Sequence, residues 1–157
     1  MDQDTFLALV AQYKDTVFRV ALNYLGNTYD ADDIVQNVFL KLYTKNKHFE
    51  NKDHARYWLI RVTVNACKDL LKSSWKSKNV FLDEVELPVT FEEPEQEDLY
   101  KVVMALPEKY RTVLYLFYYE EFSIREIARL LKMNGSSVTT RLSRARNKLK
   151  EALKDEE

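Results

Sequence analysis

Apolar residues recur at three- and four-residue steps along most of this chain, a period that admits amphipathic helices and little else. The first run is Phe6, Val10, Tyr13, Val17, Val20 and Tyr24. A second run is Ala31, Ile34, Val35, Val38, Phe39 and Leu42, and a third is Ala55, Leu59, Val62, Ala66 and Leu70. Gly26-Asn27 ends the first helix, and Asp30 with Asp33 three residues on predicts a capped start to the second. The polar stretch from Thr44 to Lys52, broken by His48-Phe49, reads as a loop before a third helix starting near Asp53. Two glycines and three prolines in 157 residues are too few for a turn-rich β protein, so the expected class is all-α.

The period lapses over residues 73–98, where two lysines stand against eight acidic side chains, a net charge of −6. The segments on either side, 1–72 and 99–157, carry +1 and +4, so the overall −1 conceals a sharp asymmetry. Within the acidic stretch Val80-Phe81-Leu82 is an isolated apolar patch, and Pro88 and Pro94 stiffen the chain. It reads as a flexible tether extended by charge repulsion. Helical spacing resumes at Leu99, Val102, Val103 and Leu106, and Pro107 suits the first position of a helix reaching about Tyr119 with Val113, Leu114 and Phe117 inward. Ser123-Ile124-Arg125-Glu126 is a full capping box for a short helix that buries Ile127, Ala128 and Leu131. After Asn134-Gly135, Ser136 or Ser137 caps a last helix with Val138, Leu142, Ala145, Leu149 and Ala152 or Leu153 as its seam. The expected architecture is two small helical domains, residues 1–74 and 98–157, joined by a flexible acidic linker over 75–97.

A lone Cys67 excludes an internal disulfide and a multi-cysteine zinc site. No apolar stretch approaches the roughly 18 residues of a membrane span, and the start lacks the basic region of a signal peptide, so a cytoplasmic protein is expected. Catalysis would need Asp30, Asp32 and Asp33 as metal ligands, or His48 and His54 as acid and base. Asp30 and Asp33 are already explained by helix capping, and the histidines lack companions. Neither an enzyme nor a bound cofactor is expected.

The last two helices with their tight turn form a helix-turn-helix pattern. The second offers Ser136, Ser137, Thr139, Thr140, Arg141, Ser143 and Arg144 away from its apolar seam, with Arg146, Lys148 and Lys150 adding charge. Small hydroxyl residues at a helix start approach base edges in a major groove, and arginines neutralise phosphates. The plainer reading of the same residues is a solvated basic face. A second surface lies on the third helix, where Tyr57, Arg61, Asn65, Lys68 and Lys72 align opposite the apolar set. An aromatic ring, an amide and cations in one stripe suit a nucleic-acid strand, and the loop before it, with Lys47 and His48, offers a place for an unstacked base. Phe49 and Trp58 read as core and not as stacking platforms.

Asp30-Ala-Asp-Asp-Ile-Val-Gln-Asn-Val-Phe39 and Trp58-Leu-Ile-Arg-Val-Thr-Val-Asn65 with Asp69 resemble the N-terminal domain of extracytoplasmic-function sigma factors. Leu106-Pro-Glu-Lys-Tyr-Arg111, Ser123-Ile-Arg-Glu-Ile-Ala128 and Val138-Thr-Thr-Arg-Leu-Ser-Arg-Ala-Arg146 resemble their C-terminal domain. The resemblance implies a subunit that directs RNA polymerase to promoters and does no chemistry itself. It implies that Asp33, Gln36, Asn37, Leu40 and Lys41 dock on the clamp helices of the β′ subunit of core polymerase, with further contact to β. It assigns Lys47, His48 and the stripe from Tyr57 to Lys72 to the melted −10 strand, and the last helix, Ser136 to Arg146, to the −35 duplex. It also implies an anti-sigma partner. Asn37 stands where a glutamate is usual, and Lys132 and Ser136 where glycines are common. The alternative is a free-standing helix-turn-helix regulator that binds duplex DNA without polymerase.

Overall fold

In the computed structural model, which describes residues 1–74 and 94–155, Asp2 opens the first helix by accepting a hydrogen bond from Thr5 N at 2.7 Å. That bond holds the Asp2 carboxyl below its ordinary range. Helix α1 (Gln3–Leu25) stops where Gly26 adopts a left-handed φ of 71° and donates to Leu22 O at 2.8 Å. Asn27 then caps α2 (Thr28–Lys45), its Oδ1 accepting from Asp30 N at 3.1 Å. The expected cap at Asp30 is therefore corrected. Asp30 lies inside the first turn of α2, where burial, and then the neighbouring Asp33, raise its carboxyl above the usual value. Asn51 starts α3 (Lys52–Ser74) by accepting from His54 N at 2.9 Å.

The three helices pack mutually around Val17, Ala21, Ala31, Leu42, Ile60, Val64 and Cys67, which are buried completely or nearly so. Tyr13 ties α1 to the start of α3 by donating to Lys52 O at 3.1 Å. Burial on α3 is wider than one stripe. Ala55, Leu59 and Val62 are inside as expected, Ala66 and Leu70 are only half-buried, and Trp58, Ile60, Thr63 and Val64 join the core. Thr63 sits there without polar cost because its hydroxyl donates to Leu59 O at 2.6 Å.

The chain divides into two compact units, Met1–Val85 and Glu86–Glu157. The Val80-Phe81-Leu82 patch, Pro88 and most of the expected linker lie outside the described residues. In the second unit α4 (Pro94–Met104) begins at a proline, earlier than the expected Leu99, with the ring at a first helical position that needs no N–H. Pro107 flanks α5 (Glu108–Leu114) as its extended cap residue instead of opening it. Arg111 closes the corner between these helices, one Nη1 donating to Met104 O at 3.2 Å and Leu106 O at 2.8 Å. Burial pushes its guanidinium below the ordinary value.

From Tyr115 to Tyr119 the helix widens into a π-helical turn, with Glu120 N donating to Tyr115 O at 3.1 Å. The wider turn shifts the phase, so Tyr115 and Leu116 enter the core and Phe117, expected inward, stays half-buried. Tyr115 OH donates to Glu120 Oε2 at 2.6 Å, which satisfies a buried carboxyl. Ser123 caps α6 (Ile124–Leu131) with both arms of the capping box, its Oγ accepting from Glu126 N at 3.1 Å while Glu126 Oε1 accepts from Ser123 N at 3.0 Å. Leu130 is fully buried beside Ile127, whereas Ala128, expected inside, is half-buried. Helix α7 (Gly135–Asp155) packs on α4, α5 and α6 through Val138, Leu142 and Ala145. No strand occurs among the described residues, and none of their helices is long and apolar enough to cross a membrane.

Arg111→Met keeps much of the buried stem and removes the donor from the carbonyls of Met104 and Leu106. It should cost the C-terminal unit about 2 kcal/mol, read as a lower urea midpoint for the full chain. An unchanged midpoint would mean that water replaces the guanidinium without loss.

Candidate nucleic-acid interface

Asn134 builds the start of α7, and this corrects the expected cap at Ser136 or Ser137. Its Oδ1 accepts from Ser137 N at 2.8 Å and from Ser136 Oγ at 2.9 Å. Thr139 Oγ1 donates to Gly135 O at 3.0 Å, so the protons of two exposed hydroxyls are turned inward to the helix start. The preceding turn holds although Lys132 stands where glycine would be easiest. Lys132 takes a left-handed φ of 57°, and its N–H and that of Met133 both reach Ala128 O. A side chain in that conformation costs about 1–2 kcal/mol.

Ser136, Ser137, Thr140, Arg141 and Arg144 line one open cleft of about 420 Å³, together with Met133 and with Lys109 and Tyr110 of α5. Thr139, Ser143 and Arg146 are exposed but do not line it. Arg146 is held elsewhere. Its Nε donates to Tyr118 OH, and its guanidinium lies 5.9 Å and 5.7 Å from the ring centroids of Phe117 and Tyr118. The arginine thus braces α7 against the π-helical turn. Lys148 lies over the Tyr110 ring at 5.7 Å, and Lys109 over the same ring at 5.1 Å. Lys109 falls within the Leu106–Arg111 motif, but the sequence does not mark it as a DNA contact, because it lies outside the helix-turn-helix and reaches the cleft only through tertiary packing.

In the N-terminal unit Arg61 and Lys72 are exposed on α3 with Asn65 and Lys68 half-buried between them, and these four share one outward side. Tyr57, one turn before Arg61, is half-buried with its hydroxyl away from solvent. Lys47 and His48 lie apart from it. They line a cleft of about 410 Å³ with Met1, Asp2, Thr5 and Leu9 of the chain start and with Asn51, Lys52 and Ala55, and no stripe residue lines that cleft. The loop between α2 and α3 is held in place locally. Phe49 lies edge-on to His54 at 5.3 Å and tilted on Trp58 at 5.7 Å, while His54 Nδ1 accepts from Glu50 N at 3.3 Å. Trp58 is a core residue, and Phe49 is the half-buried prop that rests on it.

Asp33, Gln36, Asn37, Leu40 and Lys41 are all exposed along one side of α2. Leu40 is 61% exposed and Tyr29 63%, so this face shows apolar surface that the fold leaves uncovered. Among the described residues no group of three His, Cys, Asp or Glu side chains is placed to hold a metal.

The Sigma-70 region 2 family model matches residues 9–77, and the Sigma-70 region 4 model matches residues 96–149. The chain is 30% identical to the ECF RNA polymerase sigma factor SigW of Bacillus subtilis, covering 98% of this chain and 91% of that protein. It is 28% identical to RNA polymerase sigma factor SigV of the same organism, covering 87% of this chain and 83% of that protein. Among solved structures, the sigma factor RpoE from Bartonella quintana, in complex with the anti-sigma factor NepR, matches with a TM-score of 0.78 at 23% identity. That match covers 96% of this chain and 97% of the other. CnrH in complex with the cytosolic domain of CnrY matches with a TM-score of 0.67 at 24% identity, covering 99% of this chain and 92% of the other. These structural likenesses concern the fold.

The capping role of Asn134 is testable. Asn134→Ala should destabilise the C-terminal unit by about 1 kcal/mol in urea denaturation, with Ser137→Ala costing far less. The reverse order would return the cap to the serine.

Proposed function

The chain belongs to the extracytoplasmic-function sigma factors of RNA polymerase, and from that premise we propose a division of labour among its surfaces. As a sigma factor it directs promoter-specific initiation, binding core polymerase and recognising −10 and −35 elements. Residues 1–74 form the domain for polymerase binding and −10 melting, 75–97 the acidic linker, and 98–157 the −35 domain. The exposed side of α2, with Asp33, Gln36, Asn37, Leu40 and Lys41, docks on the β′ clamp helices. Leu40 supplies the apolar area that such a contact needs, and Asn37 gives it a neutral amide where a carboxylate is usual.

The face from Tyr57 to Lys72 holds the unpaired −10 strand, and Lys47 and His48, in the loop before α3, meet that strand at a separate place. Capture of its bases offsets an unstacking cost of a few kcal/mol. The cleft on α7 reads the −35 duplex, with Arg141 and Arg144 on phosphates and the hydroxyl side chains toward base edges. Arg146 acts in that domain as a brace. Binding energy replaces bond chemistry throughout, so the protein is not an enzyme and works in the cytoplasm beside polymerase. RpoE and CnrH are each held by a second protein in their solved structures, and an anti-sigma protein is the corresponding partner here. The observation that carries this reading is the placement of two separate cation-bearing surfaces on two units, each within its own matched sigma region.

Purified protein added to core RNA polymerase should start transcripts at a defined subset of promoters. Absence of both core binding and start sites would sink the assignment. Asn65→Ala should reduce promoter opening, followed by permanganate reactivity of unpaired thymines, about tenfold while core affinity stays within about twofold. Equal loss of both would place Asn65 in the clamp contact or the core.

A further inference from the structure

We propose that Lys109, outside the helix-turn-helix, is a phosphate contact of the duplex-reading cleft and makes that cleft a two-walled clamp on the DNA backbone. Helix α7 supplies one wall, with Arg141 and Arg144 projecting from the same side as Ser136 and Thr140. The other wall comes from the first turn of α5, where Lys109 is exposed and lines the same cleft. No acidic side chain lines it. Tyr110, buried between the walls, carries Lys109 at 5.1 Å from its ring centroid and Lys148 at 5.7 Å, so the cations of both helices gather around one aromatic floor.

Electrostatics favours an occupant. Like charges converging on a concave surface without a counter-acid raise the local potential, and a polyanion that enters relieves the repulsion and releases its own counterions. The backbone of a duplex presents phosphates on both sides of the groove that a recognition helix enters, so a helix in the groove needs cations beside it as well as on it. Lys109 stands beside it. A lysine suits this place because its compact ammonium meets one phosphate without the fixed fork geometry of an arginine. Affinity, and not base choice, is therefore its contribution.

The inference rests on the assignment of the α7 cleft to duplex DNA, and the test separates the two. Full-length protein is titrated by fluorescence anisotropy against a labelled promoter duplex of about 20 base pairs at several NaCl concentrations. Lys109→Gln should weaken binding by about three- to tenfold at about 0.1 M salt and flatten the log–log salt slope by about 0.9, the change expected when a single phosphate is no longer neutralised. Relative affinities for base-substituted duplexes should stay as they were. Lys109→Arg should restore the slope, and Lys154→Gln, at the far end of α7, should leave it unchanged. Far-UV circular dichroism of Lys109→Gln must match the parent, so that a folding loss cannot mimic the effect. If Arg144→Gln flattens the slope and Lys109→Gln does not, the inference about Lys109 is overturned and the cleft assignment stands. If neither substitution changes the slope, both fall.

Discussion

Ile60, Val64 and Cys67 lie wholly buried along α3, with Leu59 at 1% exposure and Trp58 at 5%, and this burial dictates which surfaces the N-terminal unit shows to solvent. A unit of this size has little interior to share, so each helix must give its apolar side to one common core. α1 and α2 both pack on α3, which leaves α3 a single narrow outward face. Through the middle of the helix Arg61, Asn65 and Lys68 occupy it, because the residues around them are turned into the core. α2 contributes less of its circumference and so keeps a broad exposed side. On that side Leu40 is an exception to the polar rule, since the fold itself gains nothing from it.

The C-terminal unit solves a related problem by covering one long helix with three short ones. Short helices gain little from propensity and depend on their ends. The ends here are specified one by one: Arg111 on the carbonyls closing α4, the Ser123–Glu126 box on α6, and Asn134 on α7. The stability of the domain and the pose of α7 are therefore linked. Loosening the cap at Asn134 would disturb Ser136 and Ser137, which share that cap and also line the cleft.

Periodicity and capping chemistry made the all-α class, the helix-turn-helix and the Ser123 box legible in the sequence, since these are local. The Asn27 and Asn134 caps were harder for a physical reason. An asparagine beside a glycine signals a turn, and only the length of the connection decides whether it also opens the next helix. Gly26 turns the chain in one residue, which leaves Asn27 to cap. The phase error at Phe117 has a different origin. A constant 3.6-residue period carried through Tyr115 to Tyr119 puts Phe117 inward, and the wider turn puts Leu116 there instead. Lys109 and the bracing role of Arg146 were invisible because each depends on residues distant in sequence. The docking role proposed for the α2 side rests on family resemblance, with the exposure of Leu40 as its physical counterpart.

The π-helical turn also sets how this domain can tolerate changes in length. It accommodates one residue more than an α-helical path over the same span without breaking the helix. Deleting a single residue there would let the segment relax to α-helix while the turns on either side keep nearly their register, because five residues of the wide turn sweep about the same angle as four of an α-helix. What the shortening would remove is the five-residue spacing itself, which pairs Tyr115 with Glu120 both through the backbone and through the phenol–carboxylate bond.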